Sequence, residues 1–200
     1  DARANRFNFD WSTYQPPTPR APGVHVFDDI SLASLVEHID WTPFFRTWEL
    51  AGPYPRILSD EKVGESARAL YADATRMLQQ LVEERWLTAR AVVGLWPAQS
   101  IGDDLEVATE NGSVTLPMLR QQLSRGEGKP NLALSDFVAP RESKVVDYVG
   151  GFAVSTGFGA DAIARKFEAD SDDYNAIMVK ALADRLAEAL AEQMHERVRR

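Results

Sequence analysis

The sequence predicts an α+β fold built on an antiparallel sheet, with helices before and after it. Three observations carry that expectation. Strand patterns cluster between Ala91 and Phe158, and helical patterns flank them rather than alternating with them. Asn111-Gly112 is the strongest tight-hairpin signal in the chain, and it joins two of those strands. The longest helical pattern comes last, from Asp172 to Arg200, without a Gly or Pro.

The elements follow in order. The opening stretch, DARANRFNFDWSTYQPPTPRAPG, reads as a connector. Its prolines, Pro16, Pro17, Pro19 and Pro22, favour an extended path and forbid a helix. Trp11 and Tyr14 are suited to pin this arm to a surface. GVHVFDD reads as a short strand, with Val24 and Val26 on one side and His25 and Phe27 on the other. Ser31 is placed to cap a helix, SLASLVEHI, whose apolar stripe is Leu32, Leu35 and Val36. Asp40 to Leu50 is dense in aromatics, and Trp41, Phe44, Phe45 and Trp48 at this spacing predict packing. Asp40 can cap the Trp-Thr-Pro turn or present its carboxylate to a ligand. Gly52 to Arg56 is a Pro-rich loop.

A long helix is expected from Asp60 to about Arg85, burying Val63, Ala67, Leu70, Ala74, Met77, Leu78 and Leu81. A strand from Ala91 to Trp96 is expected to end at Pro97. Gly-Asp-Asp at 102–104 reads as a turn into a second strand, and Asn111-Gly112 returns the chain through Ser113–Leu116. Met118 to Ser124 reads as a short helix, followed by a loop with Gly126 and Gly128. LALSDFVAP reads as a strand ending at Pro140, and DYVGGFAVSTGFG as another. Phe158 to Glu168 begins a helix that leads into the terminal one.

That terminal helix has Asp172 and Asp173 at its start, where N-cap chemistry and negative charge are favourable. Met178, Leu182, Leu186, Leu190 and Met194 recur every four residues as one apolar face. Alanines fill much of the rest, so the helix expects neighbours on several sides. Asp184 and Glu188 interrupt the pattern at i and i+4, on a face shared with Ile177 and Ala181. They form either a solvated edge of a packed helix or a carboxylate pair lining a ligand pocket.

Composition removes several function classes. The 200 residues suffice for a real core in one large domain or two small ones. A net charge of −8 argues against a nucleic-acid partner. The absence of cysteine excludes disulfides, thiolate metal sites and Cys nucleophiles. His25, His38 and His195 are too scattered to suggest a zinc site. No apolar run is long enough to span a bilayer, and the polar N-terminus does not resemble a signal peptide, so a cytoplasmic location is expected. No dinucleotide fingerprint, Walker loop, HExxH or GxSxG is present. The Gly-Asp-Asp acids and Asp172–Asp173 are better explained as a turn and a helix start than as metal ligands. The glycines from Gly150 to Gly159 lack a phosphate-loop register and suit close backbone approach, to another strand or to a flat ligand.

Several long strings carry a resemblance. HIDWTPFFRTWELAGPYPRIL, VVGLWPAQSIGDDLEV, LSDFVAP, DYVGGFAVSTG and FEADSDDYNAIMVKALADRLAEALAEQMHERVR resemble the activation domain of the cobalamin-dependent methionine synthase family, over nearly the whole chain. The resemblance implies a curved antiparallel sheet with flanking helices and a long C-terminal helix. It implies that 1–23 is a linker from an upstream cobalamin-binding domain and that 24–200 is the activation domain. It further implies a role: S-adenosylmethionine is bound and its methyl group passed to cobalamin held by a neighbouring domain, with an electron from a flavodoxin-type reductase. The catalytic strategy would be orientation, with no side-chain base, which fits the absence of a catalytic motif.

By the same resemblance, Asp40 in IDWTPFF and Glu188 in RLAEALAE match acids that line the S-adenosylmethionine site, and Asp184 in KALADRL matches a docking contact to the cobalamin domain. The family's Arg-Pro-Ala-Pro-Gly-Tyr segment and the Pro-Glu-His that follows it would come after Arg200. The 200 residues alone are therefore expected to bind S-adenosylmethionine weakly or not at all and to be inactive in isolation. Phe158-Gly159-Ala160 departs from the acids that the family often carries there, which puts some docking contacts in doubt. An interaction module that docks a corrinoid protein or a flavodoxin-type reductase without completing a ligand site is the alternative. It would need a local basic patch, for which Arg120, Arg125, Arg197, Arg199 and Arg200 are candidates.

Overall fold

A computed structural model describes residues 2–126 and 128–200. Asp1 of the expected connector and Glu127 of the expected glycine loop lie outside the described residues. The fold is α+β, as the strand and helix patterns predict. Five strands, β1 (Gly23–Ile30), β2 (Thr88–Ile101), β3 (Asp104–Thr109), β4 (Gly112–Leu116) and β5 (Asp147–Phe158), form one sheet in the order β1-β2-β3-β4, with β5 also pairing to β2. Among the described residues four α-helices accompany it: α1 (Trp41–Thr47), α2 (Gly64–Glu83), α3 (Ala160–Ala169) and α4 (Asp173–Arg199). The chain divides into two compact units, Asp1–His25 with Val93–Gly151, and Val26–Val92 with Phe152–Arg200.

In the first unit, β2 and β3 pair antiparallel from Ala98↔Val107 to Ile101↔Asp104, around the expected Gly-Asp turn. β3 and β4 pair from Leu105↔Leu116 to Thr109↔Gly112, so the Asn-Gly hairpin forms where the sequence signals it. Alternation on these strands buries Ala98, Leu105 and Val107 with Val138, and Trp96, Met118 and Val149 pack against that cluster. Pro97 does not end its strand. It is exposed and falls just outside the Ala98–Ile101 register, so its missing N–H breaks no ladder bond with β3.

Two further expectations fail in this unit. Met118 to Ser124 is irregular rather than helical. There the Asn131 amide donates to the carbonyls of Gln121 (2.7 Å) and Leu123 (2.8 Å), and the Gln121 N–H donates to the Leu132 carbonyl. Side chains have taken over backbone bonding that a helix would supply internally. LALSDFVAP is not a strand. Its centre is a 3₁₀ turn, Leu134–Phe137, closed by the Ala133 N–H donating to Asp136 (2.9 Å). Arg120 is the hub of the region. It is buried, bonds Asp136 through two nitrogens (2.6 and 2.7 Å) and Asp103 through two (2.7 and 2.9 Å), and donates to the Asn131 carbonyl. Both acids are on the page in the sequence, but nothing local in the pattern announces that they share one arginine.

The second unit is helical around α4, which packs against α1, α2, α3 and a 3₁₀ turn, Leu32–His38. That turn replaces the expected α-helix. Ser31 makes no side-chain cap, Ser34 Oγ donates instead to the Ser31 carbonyl, and Val36 is exposed while Leu32 and Leu35 are buried. Helix α2 buries Ala67, Leu70, Ala74, Met77, Leu78 and Leu81 as its periodicity predicts, whereas Val63, expected on the same face, is its half-buried N-cap residue. Asp60 accepts from the N–H groups of Lys62 and Val63 and closes the turn before α2, which starts four residues later than the sequence suggests. At the N-cap of α3, Gly159 holds φ +103, and a Cβ there would meet the Trp86 carbonyl oxygen at 2.5 Å.

Candidate functional site

Asp40 sits at the N-cap of α1 and is exposed. Its Oδ1 accepts from the Thr42 N–H at 2.9 Å, so the capping role holds, and its second carboxylate oxygen makes no hydrogen bond among the described residues. Packing makes this corner rigid. Trp41 is buried, with its ring 5.3 Å from Phe44 and 4.9 Å from Tyr71. The Thr42 hydroxyl accepts from the Tyr54 N–H at 3.2 Å, and the Tyr54 and Tyr71 hydroxyls meet at 3.2 Å. The aromatic run therefore packs, as its spacing predicts, and leaves Asp40 at the rim of a fixed cluster.

On α4 the apolar stripe Met178, Leu182, Leu186, Leu190 and Met194 is fully buried. The opposite stripe carries Ile177, Asp184, Glu188 and His195, all exposed and spaced seven, four and seven residues apart. Those spacings are close to whole helical turns, so the four side chains line one face. Asp184 accepts from Arg185 Nη2 at 2.5 Å, and Arg185 is itself largely buried. Glu188 has no hydrogen bond or ion pair among the described residues. A carboxylate on a fixed helix with both oxygens open can meet a cation or a donor without breaking an existing contact.

Two contacts place the segment that carries Asp40 along the same helix. The Gln193 amide donates to the Ser34 carbonyl (3.2 Å) and hydroxyl (3.0 Å). The Trp48 ring lies 5.0 Å from that of Tyr174. Residues 34–48 thus run antiparallel to α4, and Asp40 falls between the two anchors, as Asp184 and Glu188 do on the helix. Near the start of α4, Tyr174 donates to Asp73 at 3.0 Å, and its hydroxyl is pushed up to about 12 by burial and then by that bond.

Sequence reasoning missed two neighbours of this face. Phe152 on β5 is 44% exposed, with its ring 6.5 Å from the His195 ring. Thr156, two strand positions beyond Val154, is fully buried, and its hydroxyl donates to the Ala183 carbonyl at 2.7 Å. Period-two reading puts Phe152, Val154 and Thr156 on one face but gives no sign that only the far end of it is covered. Of the glycines in this region, Gly150 is the one that meets another strand: a Cβ there would lie 2.9 Å from the Leu95 side chain. The proposed basic patch loses Arg120 to the first unit's buried ion-pair network, and Arg197 lies over the Phe27 ring at 4.3 Å.

Residues 31–200 match the sequence profile of the family described as "Vitamin B12 dependent methionine synthase, activation domain". Among solved structures, the chain is similar to one described as "Crystal Structure of the MetH Reactivation Domain bound to AdoHcy", with 52% identity and a TM-score of 0.93. That similarity covers 99% of this chain and 62% of the crystallised one, so the chain spans less than two thirds of that relative's length.

Proposed function

The chain belongs to the vitamin B12 dependent methionine synthase activation-domain family, and from that premise we propose that, within an enzyme that carries it, it contributes to binding S-adenosylmethionine for the reductive methylation of enzyme-bound cobalamin. One observation carries the reading. A relative 52% identical over 99% of this chain holds AdoHcy, which is what S-adenosylmethionine becomes once its methyl group has left. The enzyme served would be a homocysteine methyltransferase of methionine biosynthesis, in the cytoplasm.

Asp40 and Glu188 hold the ligand in this account. The free oxygen of Asp40 suits the α-ammonium group, or offsets the sulfonium charge, and the uncommitted carboxylate of Glu188 faces the same ligand. Asp184 is the docking contact to the cobalamin-binding domain, and its position one turn before Glu188 lets one helix face serve both tasks. Residues 1–23 are the linker from that domain, and 24–200 the activation domain. Cobalamin, held by the neighbouring domain, supplies the nucleophile, and a flavodoxin-type reductase supplies the electron. Methyl transfer from a sulfonium moves no proton, so this chain's residues orient the ligand rather than act as acid or base.

The test is methylation of cob(II)alamin in an enzyme carrying this chain, with S-adenosylmethionine and a one-electron reductant. Asp184→Asn should slow reactivation while leaving S-adenosylmethionine affinity unchanged. A reactivation rate equal to wild type would remove Asp184 from the docking role.

A further inference from the structure

The N-terminal arm is tied into the first unit at three successive points. Arg3 Nε donates to Asp103 at 2.6 Å. The Asn5 carbonyl accepts from the Asn131 N–H at 2.8 Å, and the Asn5 amide donates to the Asn131 side chain (2.8 Å) and the Lys129 carbonyl (3.0 Å). Arg6 and Asn131 form a parallel bridge, and the Phe7 ring stacks on Phe137 at 5.6 Å. Two of the receiving residues, Asp103 and Asn131, are themselves fixed by one buried side chain. Arg120 holds Asp103 and Asp136 in two-point ion pairs and holds the Asn131 carbonyl at 2.6 Å. Asp103 is thus shared between Arg3 outside and Arg120 inside, so the ladder runs from the arm to the interior through alternating charges.

We propose that residues 3–7 are a latched strap, a fixed part of the first unit, with Arg120 acting through Asp103 and Asn131 as the positioning residue. An arm ordered only by its own composition would stay mobile, because its polar residues bury little apolar surface. This one has both main-chain pairing and a preformed anion to meet its arginine. The consequence rests on the reading of 1–23 as a linker. Relative motion between a preceding domain and this one pivots ahead of Arg3, not along the proline run Pro16–Pro22. The strap travels with the unit that it is latched to.

Trypsin reports the latch, because cleavage after the exposed Arg6 requires the strap to lift. In the wild-type chain this cut should be far slower than in a free peptide of residues 2–12. Arg3→Ala and Asp103→Asn should each speed it about tenfold, and 1 M salt should speed it in the wild type. Asp103→Asn also disturbs Arg120 and risks unfolding the unit, so Arg3→Ala, at an exposed site, decides if that happens. Cleavage at the free-peptide rate in the wild type, or no change in Arg3→Ala, overturns the strap. These outcomes need only this chain and stand apart from the linker reading. In an enzyme carrying the chain, Arg6 should stay protected with and without S-adenosylmethionine. Loss of protection in either state makes the arm itself the hinge and overturns the pivot.

Discussion

The Thr156 hydroxyl donates a 2.7 Å hydrogen bond to the Ala183 carbonyl, with both residues buried. The bond fastens β5 to α4 one residue before Asp184, so the aim of the acid stripe depends on the strand. Thr156→Val keeps the shape and removes the donor. It should lower stability by about 1 kcal/mol, read as a reduced urea midpoint. An unchanged midpoint would mean that packing alone holds strand to helix.

Asp40 has two separable roles, and two substitutions divide them. Asparagine caps helices about as well as aspartate, so Asp40→Asn should leave thermal stability near wild type. Asp40→Ala loses the bond to the Thr42 N–H and should cost about 1 kcal/mol. Equal loss of stability in both variants would show that the charge, not the cap, sets the local fold.

Arg120 makes the first unit sensitive to acid. The Asp103 carboxyl is held below its ordinary value by hydrogen bonds from Arg120 and Arg3, against burial. Burial pushes Asp136 up, but hydrogen bonds from Arg120 and the Ala133 N–H outweigh it and leave the carboxyl lowered. Depressed carboxyls stabilise the fold above their unfolded values, near pH 4, and that stability fades as pH falls through the folded values. Arg120→Met should cost about 3–5 kcal/mol at neutral pH, because it strands two largely buried carboxylates. The fall in urea midpoint below about pH 4 should also be shallower in the variant. A wild-type acid profile in Arg120→Met would refute the assignment.

Gly159→Ala should be among the most damaging single-methyl changes in the second unit. It forces an L side chain to φ +103 and drives Cβ against the Trp86 carbonyl oxygen. The expected result is poor soluble yield or a clearly lowered Tm, whereas Gly157→Ala, with open space around it, should be mild.

Where local pattern and packing agree, the fold is legible in the sequence. The stripe on α4, the apolar side of α2 and the Asn111-Gly112 hairpin are all decided by residues close in sequence. At Met118–Ser124 the buried Asn131 side chain bonds backbone carbonyls from about ten residues away. At Leu134–Phe137 Asp136 closes the turn on the Ala133 N–H and is held from a distance by Arg120. At the candidate site, composition left Asp184 and Glu188 between a solvated edge and a ligand wall. The structure shows both exposed, which either reading requires, and the ligand-wall reading is carried by the family resemblance alone.

In the proposed function Asp40 and Glu188 hold S-adenosylmethionine. The decisive measurement is calorimetric titration of S-adenosylmethionine into a protein carrying this chain at the full length of the crystallised relative. Asp40→Asn and Glu188→Gln should each weaken binding about tenfold, or about 1.4 kcal/mol, with the Tm close to wild type. Wild-type affinity in both variants would remove Asp40 and Glu188 from the binding site.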